Sequence, residues 1–244
     1  MTAQLEAMHE QASVARAAVP PRAGLGQTVR SEWIKLWSVR STTWTLVALV
    51  ALGVGLTALV CATSADWLAS SEADESPTSF VTWGMMIAQL TAVVLGVLVV
   101  SNEYSTGMIR TTVAATPRRS QVLMAKGIVL TGTLFVAGIL TAIGGYFAGN
   151  AFLDAEGVGV PLNQDGVVRA LVGNGLYLAV LALFSAALAL LVRHTAAAIS
   201  IGLALIFVVG NLVVLVPGAV GEWLEKLMPG NAGSAIASVT PFNP

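Results

Sequence analysis

The segment NEYSTGMIRTTVAATPRRSQVLMAK, Asn102–Lys126, separates two stretches without Asp, Glu, Lys or Arg, and this contrast decides the fold. One stretch runs over Ser76–Asn102 and the other over Gly127–Leu153. Each exceeds the roughly 20 residues that an α-helix needs to cross the ~30 Å hydrocarbon layer of a bilayer. The segment holds four of the twelve Lys and Arg residues, so we expect it to lie at a membrane face.

The whole chain has the composition of a membrane protein. Hydrophobic residues make up 56% of it and charged residues 10%, against roughly 25% charged residues in a soluble domain. The apolar stretches are continuous and do not alternate with polar residues, which excludes a transmembrane β-barrel. We therefore predict an all-α, polytopic transmembrane bundle. Its five spans are expected at about 43–64, 80–101, 126–149, 168–192 and 196–217.

Basic residues fall unequally on the two sides of these spans. Only Arg169 and Lys226 belong to one side. The other side has ten basic residues: Arg16, Arg22, Arg30, Lys35, Arg40, Arg110, Arg118, Arg119, Lys126 and Arg193. By the positive-inside rule, the N-terminus and the loop 102–125 are predicted to be cytoplasmic in a multi-pass protein of the cell membrane.

The N-terminal region divides into two parts. Residues 1–28 are expected to be a mobile cytoplasmic arm, and residues 29–244 a single transmembrane domain. From Val29 the pattern predicts an amphipathic helix in the headgroup layer, with Arg30, Glu32 and Lys35 largely off its apolar face. That face is formed by Val29, Trp33, Leu36 and Trp37. The helix either transmits motion into the first span or is a simple membrane anchor.

The loop 102–125 has its own predicted structure. A short helix is expected over Gly107–Thr116, because the residue before a proline is biased away from helical geometry. Thr116 and Pro117 suit the N-cap and first position of the next helix. Glu103 is the only acid among the basic residues here, and we predict that it is ion-paired.

These residues resemble a known family. Glu103, Gly107, Ile109, Arg110, Pro117, Arg118-Arg119 and a Lys126 that enters a span follow the order seen in the cytoplasmic loop of ABC transporter permeases of the ABC-2 type. SEWIKLWSVRSTTW, Ser31–Trp44, resembles the entry to the first span in members from high-GC Gram-positive bacteria, including drug and antibiotic exporters. The resemblance extends from about Val29 to the C-terminus.

The resemblance implies a function. In that family the loop is a coupling helix that docks on a separate ATP-binding subunit, and the permease works as a dimer. The candidate coupling residues are Glu103, Gly107, Arg110, Pro117, Arg118 and Arg119. ATP and Mg²⁺ would be bound by the partner subunit and not by this chain. The family has six spans, so a sixth is expected beyond the external tail 218–244, whose Glu222–Met228 piece resembles the family's external re-entrant helices.

Catalytic and metal-binding patterns are absent from the sequence. It contains no G-x-x-x-x-G-K-[ST] phosphate loop, and no acidic or basic residue lies in the interior of a predicted span, beyond its first two residues, so energy is expected to come from an ATPase partner. His194 is predicted to cap the end of the fourth span, and Cys61 to be a packed small hydrophobe. The chain is not expected to be an enzyme.

A few polar and large side chains within the spans are candidates for a translocation pathway. Those in spans two and five, which line the pathway in the resembling family, are Met85, Met86, Gln89, Phe207 and Asn211. The alternative for the amides, Asn174 included, is hydrogen bonding between helices. The GxxxG at Gly145–Gly149 is expected to mark close helix packing. The transported substrate, export against import, and homodimer against heterodimer stay open, and a non-transporting scaffold or assembly protein is the alternative function.

Overall fold

A computed structural model of the protein describes residues 24–71, 73–105, 107 and 119–239, and within these ranges the regular structure is entirely helical. The α-helices are α1 Leu25–Ser38, α2 Arg40–Ala69, α3 Met85–Ser105, α4 Arg119–Ala155, α5 Val167–Val192, α6 Thr195–Leu203, α7 Gly210–Val213, α8 Ala219–Leu227 and α9 Pro229–Ala237. A 3₁₀ turn, Pro77–Ser79, precedes α3, and a π-helical segment, Ala204–Val209, joins α6 to α7.

Five helices are long and apolar enough to cross a bilayer, so the protein is a polytopic helical membrane protein as predicted. They are α2, α3, α4, α5 and the continuous rod Thr195–Val213. Several extend beyond their predicted bounds. The 37 residues of α4 span about 55 Å, some 25 Å more than a hydrocarbon layer. The apolar pattern predicts only the lipid-embedded part, and packing against neighbouring helices extends the rest.

The bundle has two ends, which we call the proximal end and the distal end. At the proximal end, α1 meets the C-terminus of α3 and the N-terminus of α4. At the distal end, Phe80 and Val81, which follow the 3₁₀ turn, lie in one apolar cluster with the beginning of α5 and with Val239, just after α9. Helix α5 packs against α3, α4, α6 and α9, and its apolar stretch is the most buried of the five spans.

Helices α2 and α4 pack closely through small residues, which confirms the prediction for the GxxxG motif. A Cβ atom added at Gly145 would lie 2.9 Å from Thr57 Oγ1, and one at Gly149 would lie 2.8 Å from Cys61 Sγ. Cys61 itself is fully buried, as predicted. These contacts need glycine because any larger side chain would separate the two helices.

The residues after Val213 form two short helices, and the second of them, α9, returns along the bundle. The beginning of α9 meets the π-helical segment, where Gly230 contacts Ile206. From there α9 runs along α5 to the distal end, where Gly166 contacts Val239. Ile206 lies seven residues before the end of the rod at Val213, a distance of about 10 Å. Helix α9 therefore begins about 10 Å back from that end. The tail, predicted from Glu222–Met228 to be an external amphipathic piece, thus forms an exposed helix, α8, and a second helix, α9, that packs on α5.

The connection between α5 and α6 differs from the prediction for His194. Arg193 adopts a left-handed conformation (φ 54°) and is the C-cap of α5. The side chain of His194 accepts a hydrogen bond at Nδ1 from the amide of Ala197 (3.3 Å). His194 therefore caps the beginning of the fifth span, and its predicted role at the end of the fourth span was wrong. The N-terminal amides of a helix need acceptors, and a neutral imidazole nitrogen supplies one.

Candidate functional site

Helix α1 lies alongside the proximal part of α4. The amide of Gln121 donates to Thr28 Oγ1 (2.8 Å), and Lys126 Nζ donates to Glu32 Oε2 (2.8 Å). Further along, Leu36 of α1 and Val129 of α4 line the same cavity. Leu36 is eight positions after Thr28, and Val129 is eight positions after Gln121. Each interval advances about 12 Å along its helix, so the two helices run nearly parallel. The helix predicted from Val29 begins at Leu25 and is docked along a neighbour at this end of the bundle.

A cluster of four charged residues joins α1, α3 and α4; we call it the ionic cluster, and it consists of Glu32, Lys35, Glu103 and Lys126. Lys126 Nζ donates to Glu32 Oε2 (2.8 Å) and Glu103 Oε1 (3.0 Å). Lys35 Nζ donates to Glu32 Oε1 (2.7 Å) and Glu103 Oε1 (3.3 Å). Glu32, Glu103 and Lys126 are buried. Two carboxylates and two ammonium groups balance, which is the condition for charges to be tolerated away from water.

The third bond of Lys126 completes its coordination. Its Nζ also donates to the carbonyl oxygen of Val99 (3.3 Å), so all three ammonium hydrogens have acceptors. The predicted ion pair of Glu103 is confirmed, with Lys126 and Lys35 as its partners. Glu103 lies at the start of the loop 102–125 and Lys126 directly follows its end, so the ion pair joins the two ends of this loop.

The placement of Glu32 corrects the predicted faces of the N-terminal helix. The buried face of α1 is Thr28, Glu32 and Leu36, so Glu32 shares it with an apolar residue. Trp33 and Trp37 are about half exposed and form a ring contact, with centroids 5.6 Å apart. A local hydrophobic pattern assigns a glutamate such as Glu32 to the polar face. It could not indicate burial of Glu32, because the ion-pair partner, Lys126, lies 94 residues away in the sequence.

The ionic cluster shifts the pKa of its two members on α1. Burial would raise the pKa of Glu32, but the charges and hydrogen bonds of Lys126 and Lys35 outweigh it and hold that pKa below its ordinary value. Burial would lower the pKa of Lys35, but Glu32 and Glu103 together raise it above its ordinary value. Both residues are therefore held in their charged forms at neutral pH.

These shifts predict a pH dependence of stability. The lowered pKa of Glu32 contributes stability above its unfolded pKa of about 4.3, and this contribution disappears as the pH falls through the folded pKa. The raised pKa of Lys35 contributes below about 10.4 and is lost as the pH rises through the folded value. We expect Glu32→Gln to lower the unfolding temperature by a constant amount between about pH 5 and 10, and by an amount that shrinks steadily as the pH falls from about 4.3 through the folded pKa of Glu32.

The measurement is the unfolding temperature from tryptophan fluorescence, for wild type and Glu32→Gln in the same detergent across this pH range. Glu222→Gln on the exposed face of α8 is the matched control. A difference between wild type and Glu32→Gln that is unchanged at pH 3.5 contradicts the assignment of Glu32 to the ionic cluster.

Among the other predicted coupling residues, Gly107 has the clearest geometry. It adopts φ 72°, and its amide donates to the carbonyl of Tyr104 (3.3 Å), so it ends α3 in a left-handed conformation that glycine adopts readily. Arg119 is the first residue of α4. Arg110, Pro117 and Arg118 lie outside the described residues, as does the predicted helix after Gly107.

A half-open cavity of about 300 Å³ lies against the ionic cluster. Helices α1 to α4 all contribute to it. Its charged lining residues are Glu32, Lys35, Glu103 and Lys126, and its apolar walls include Leu95, Leu98, Val99, Val129 and Leu130. Ser41, Thr42 and Thr45 from the beginning of α2 add hydroxyl groups. Sequence reasoning missed this cavity, because it depends on how four helices meet.

The five predicted pathway residues have different surroundings in the part of the chain that the structure describes. Met85 lines a narrow cavity of about 10 Å³, whereas Met86 is half exposed. Gln89 Oε1 accepts a hydrogen bond from Tyr177 of α5 (2.9 Å), which is the helix–helix contact foreseen as the alternative for the amides. Phe207 packs against the main core, and Asn211 is exposed and donates to the carbonyl of Phe207 in its own rod (2.6 Å). Their assignment to a pathway stays a prediction.

Asn174 also bonds between helices. Its Nδ2 donates to the carbonyl of Ala237 in α9 (2.9 Å), and Arg169 donates to the next two carbonyls, at Ser238 (3.3 Å) and Val239 (3.1 Å). A cation and an amide at the C-terminus of a helix satisfy carbonyls that have no partner within it. Both side chains therefore fix the end of α9 on α5.

Comparison with models of protein families gave no match, and comparison with curated protein sequences gave none either. Among the described residues, no group of three or more His, Cys, Asp or Glu side chains is arranged to hold a metal ion. The geometry of the proximal end is therefore the observation that bears on function.

Proposed function

We propose that the chain is the membrane subunit of an ATP-driven exporter of the ABC-2 type. In this proposal it forms the translocation pathway as a dimer and is coupled through the loop 102–125 to a separate ATP-binding subunit in the cytoplasm. The observation that carries it is the ionic cluster, which connects both ends of this loop to α1. The residues from Glu103 to Lys126 follow an order that resembles the family's coupling loop. This resemblance supports an ATP-binding subunit as the partner.

The contacts of the ionic cluster would allow a movement of the loop 102–125 to be transmitted to the spans. A push on the loop would act on α3 through Glu103 and on α4 through Lys126, and both side chains are buried and bonded to α1 or its lysine. Helix α1 continues into α2 after a single extended residue, Val39. Movement of the loop would therefore reach three spans together. This favours the motion-transmitting interpretation of α1 over that of a simple anchor.

The proposal also places the protein in the membrane. The basic residues of the proximal end support an orientation with this end and the N-terminus in the cytoplasm of the cell membrane. The absence of a phosphate loop from the sequence supports ATP and Mg²⁺ binding by the partner chain. The substrate class is not part of this proposal.

The test uses Gly107→Pro in a complex of the full chain with the ATP-binding protein that co-purifies with it. Proline cannot adopt φ 72° and removes the amide that bonds Tyr104, so the start of the loop must change direction. We expect stimulation of ATP hydrolysis by the membrane subunit to fall at least tenfold while the complex still assembles. The measurement is ATPase activity of the reconstituted complex in nanodiscs.

Gly157→Pro is the matched control. Gly157 follows α4 with φ 75° and an amide bonded to the carbonyl of Asp154 (3.1 Å), the same geometry at the opposite end of the bundle. It is expected to leave the stimulation unchanged. If Gly107→Pro retains full coupling, the loop does not transmit force. If no ATP-binding protein co-purifies with the wild-type chain, the alternative of a scaffold or assembly protein is favoured.

A further inference from the structure

We propose that a groove between α2 and α4 binds one acyl chain of an anionic phospholipid, whose phosphate is held at the proximal mouth of the groove by Arg30 and Arg40. We call this space the α2–α4 groove. Its volume is about 510 Å³, within the roughly 300–1,000 Å³ found for small-molecule sites. The site belongs to this chain alone, and the proposal does not depend on an ATP-binding partner.

The walls of the α2–α4 groove are apolar and open outward from the bundle. The lining residues from the two spans include Leu46, Val47, Val50, Val136 and Leu140. Three of these, from both helices, are about half exposed. The hydroxyl groups in the lining belong to Thr43, at the proximal end, and to Thr133, which already donates to the carbonyl of Val129 (2.8 Å). Such walls offer water few partners and suit a hydrocarbon chain.

The groove has the length of a chain within one leaflet of a bilayer. Its lining runs from Thr43 to Ala51 on α2 and from Gly132 to Leu140 on α4. Each interval is eight positions, or about 12 Å along the helix. One leaflet is about half of the ~30 Å hydrocarbon layer, so the groove covers most of one leaflet.

Gly132 leaves open space on the α4 side of the groove. A Cβ atom added at Gly132 would have no neighbour within 4 Å outside its own helical turn, whereas one at Gly144 would lie 2.8 Å from Val54 Cγ2 on α2. The two spans therefore touch further along and separate toward the proximal end. Because Gly132 lines the groove, this separation is the space that an acyl chain would occupy.

Two arginines lie one turn proximal to the lining. Arg30 precedes the lining residue Trp33 by three positions on α1. Arg40 precedes the lining residue Thr43 by three positions on α2. Residues three apart share a side of a helix, so both arginines lie beside the mouth of the groove.

The charge at this mouth selects an anion. Arg30 and Arg40 are exposed, and within the described residues neither forms a hydrogen bond or an ion pair through its side chain. The neighbouring acid Glu32 is already balanced within the ionic cluster. Guanidinium groups bind phosphate strongly, and basic residues beside a bilayer attract anionic lipids. Two such groups next to an apolar groove therefore complement a negatively charged headgroup attached to an acyl chain.

The beginning of α2 adds a second attraction for a phosphate. Its N-cap residue, Val39, makes no side-chain capping bond, and the first turn holds no acidic residue. The positive end of the helix dipole and the first amides are therefore not neutralised by α2 itself. An anion at this place would be stabilised by both.

Two aromatic residues place the mouth at the depth of the headgroups. Trp33 and Trp37 line the proximal end of the groove, are about half exposed and form a ring contact with centroids 5.6 Å apart. Tryptophan is enriched where hydrocarbon meets headgroups. A lipid whose chain lies in the groove would therefore have its phosphate at the level of Arg40.

The test is photolabelling of the full chain in phosphatidylcholine nanodiscs that contain a small fraction of a phospholipid probe. Two probes carry the same acyl chains with the same diazirine, and their headgroups are phosphatidylglycerol and phosphatidylcholine. At equal mole fraction, the phosphatidylglycerol probe is expected to label the groove walls on α2 and α4 at least fivefold more than the other. Unlabelled phosphatidylglycerol is expected to compete this labelling away.

Variants of the arginines test the selection of the headgroup. Arg30→Gln and Arg40→Gln are each expected to lower the preference for phosphatidylglycerol at least twofold, and the double variant is expected to abolish it. Arg193→Gln is the matched control, because Arg193 is an exposed basic residue at the same end of the bundle but lies at the end of α5, outside the groove lining. It is expected to keep the fivefold preference.

Filling the groove provides a second readout. Gly132→Phe is expected to reduce wall labelling by both probes at least fivefold, and the open space at Gly132 accommodates the ring without moving α2. Gly55→Phe is the matched control. Gly55 is exposed on α2 outside the groove lining, and a Cβ atom added there also has no neighbour within 4 Å outside its own helical turn.

Three results would overturn the proposal. Equal wall labelling by the two probes, or a preference that survives in the double arginine variant, would mean that the arginines do not select an anionic lipid. Labelling that is not competed and spreads over outward-facing residues such as Leu52 and Val168 would mean that the probe is only bulk lipid. Disulfide formation between two chains through Gly132→Cys, in a Cys61→Ala background, would mean that a second copy covers the groove.

Discussion

Replacing Lys126 with methionine is expected to lower the free energy of unfolding by about 3–5 kcal/mol. The substitution keeps the length of the side chain and removes the charge that balances Glu32 and Glu103. Lys35 then remains as the only cation of the ionic cluster for two buried carboxylates. Breaking a buried ion pair from one side is costly because the uncompensated charge stays buried.

The single cysteine offers a direct measurement of this effect. Cys61 is fully buried, so a thiol-reactive dye modifies it only when the bundle opens. The midpoint temperature of this reaction is expected to fall by on the order of 10 °C in Lys126→Met. Lys226→Met, on the exposed face of α8, is the control and is expected to change the midpoint little.

A double variant tests the physical reason. Combining Lys126→Met with Glu32→Gln removes one charge of each sign and leaves Glu103 paired with Lys35. We expect it to recover more than half of the loss, because the remaining charges balance again. Additive losses in the double variant, or a loss below about 1 kcal/mol in Lys126→Met, would show that the four charges do not act as a buried set.

Replacing Gly173 with leucine is expected to detach α9 from α5. A Cβ atom at Gly173 would overlap the carbonyl oxygen of Ile236, so the backbone of α9 must move away. The hydrogen bond from Asn174 to the carbonyl of Ala237 would then be lost as well. An Ala237→Cys probe in a Cys61→Ala background should react with a membrane-impermeant maleimide at least tenfold faster in Gly173→Leu.

Val172→Leu is the control for this substitution. Val172 precedes Gly173 on α5, but about half of its side chain is exposed, and leucine is accommodated there. Unchanged reactivity of the probe in Gly173→Leu would mean that α9 is not seated on this glycine. If the probe is protected from the maleimide in Val172→Leu but reacts in Gly173→Leu, the packing of α9 along α5 is supported.

The fold was largely predictable because lipid imposes a simple rule on sequence. Each span requires a long apolar run, so the number and order of the membrane-length helices followed from the positions of charged residues alone. Helix ends were less predictable. The first turn of α4 is polar and lies alongside α1, so this tertiary packing accounts for a helix that starts at Arg119, ahead of the apolar run.

The ionic cluster was predicted only in part. The isolated acid Glu103 among basic residues indicated an ion pair, and Lys126 at the beginning of a span was visible as a charge beside an apolar run. Nothing in the sequence connected either residue to Glu32, because the register between α1 and α4 depends on contacts across 94 positions. The return of α9 along α5 was likewise indicated only by resemblance, since its small residues carry little pattern.

The ionic cluster also has a consequence for biosynthesis. Before the bundle assembles, Lys126 is a full positive charge at the beginning of the apolar run Gly127–Leu153. Its partners lie on two earlier helices, so neutralisation must wait until α1, α3 and α4 have come together. The same lysine therefore changes during assembly from an unpaired charge at the start of an apolar run to a neutralised group that holds three helices together.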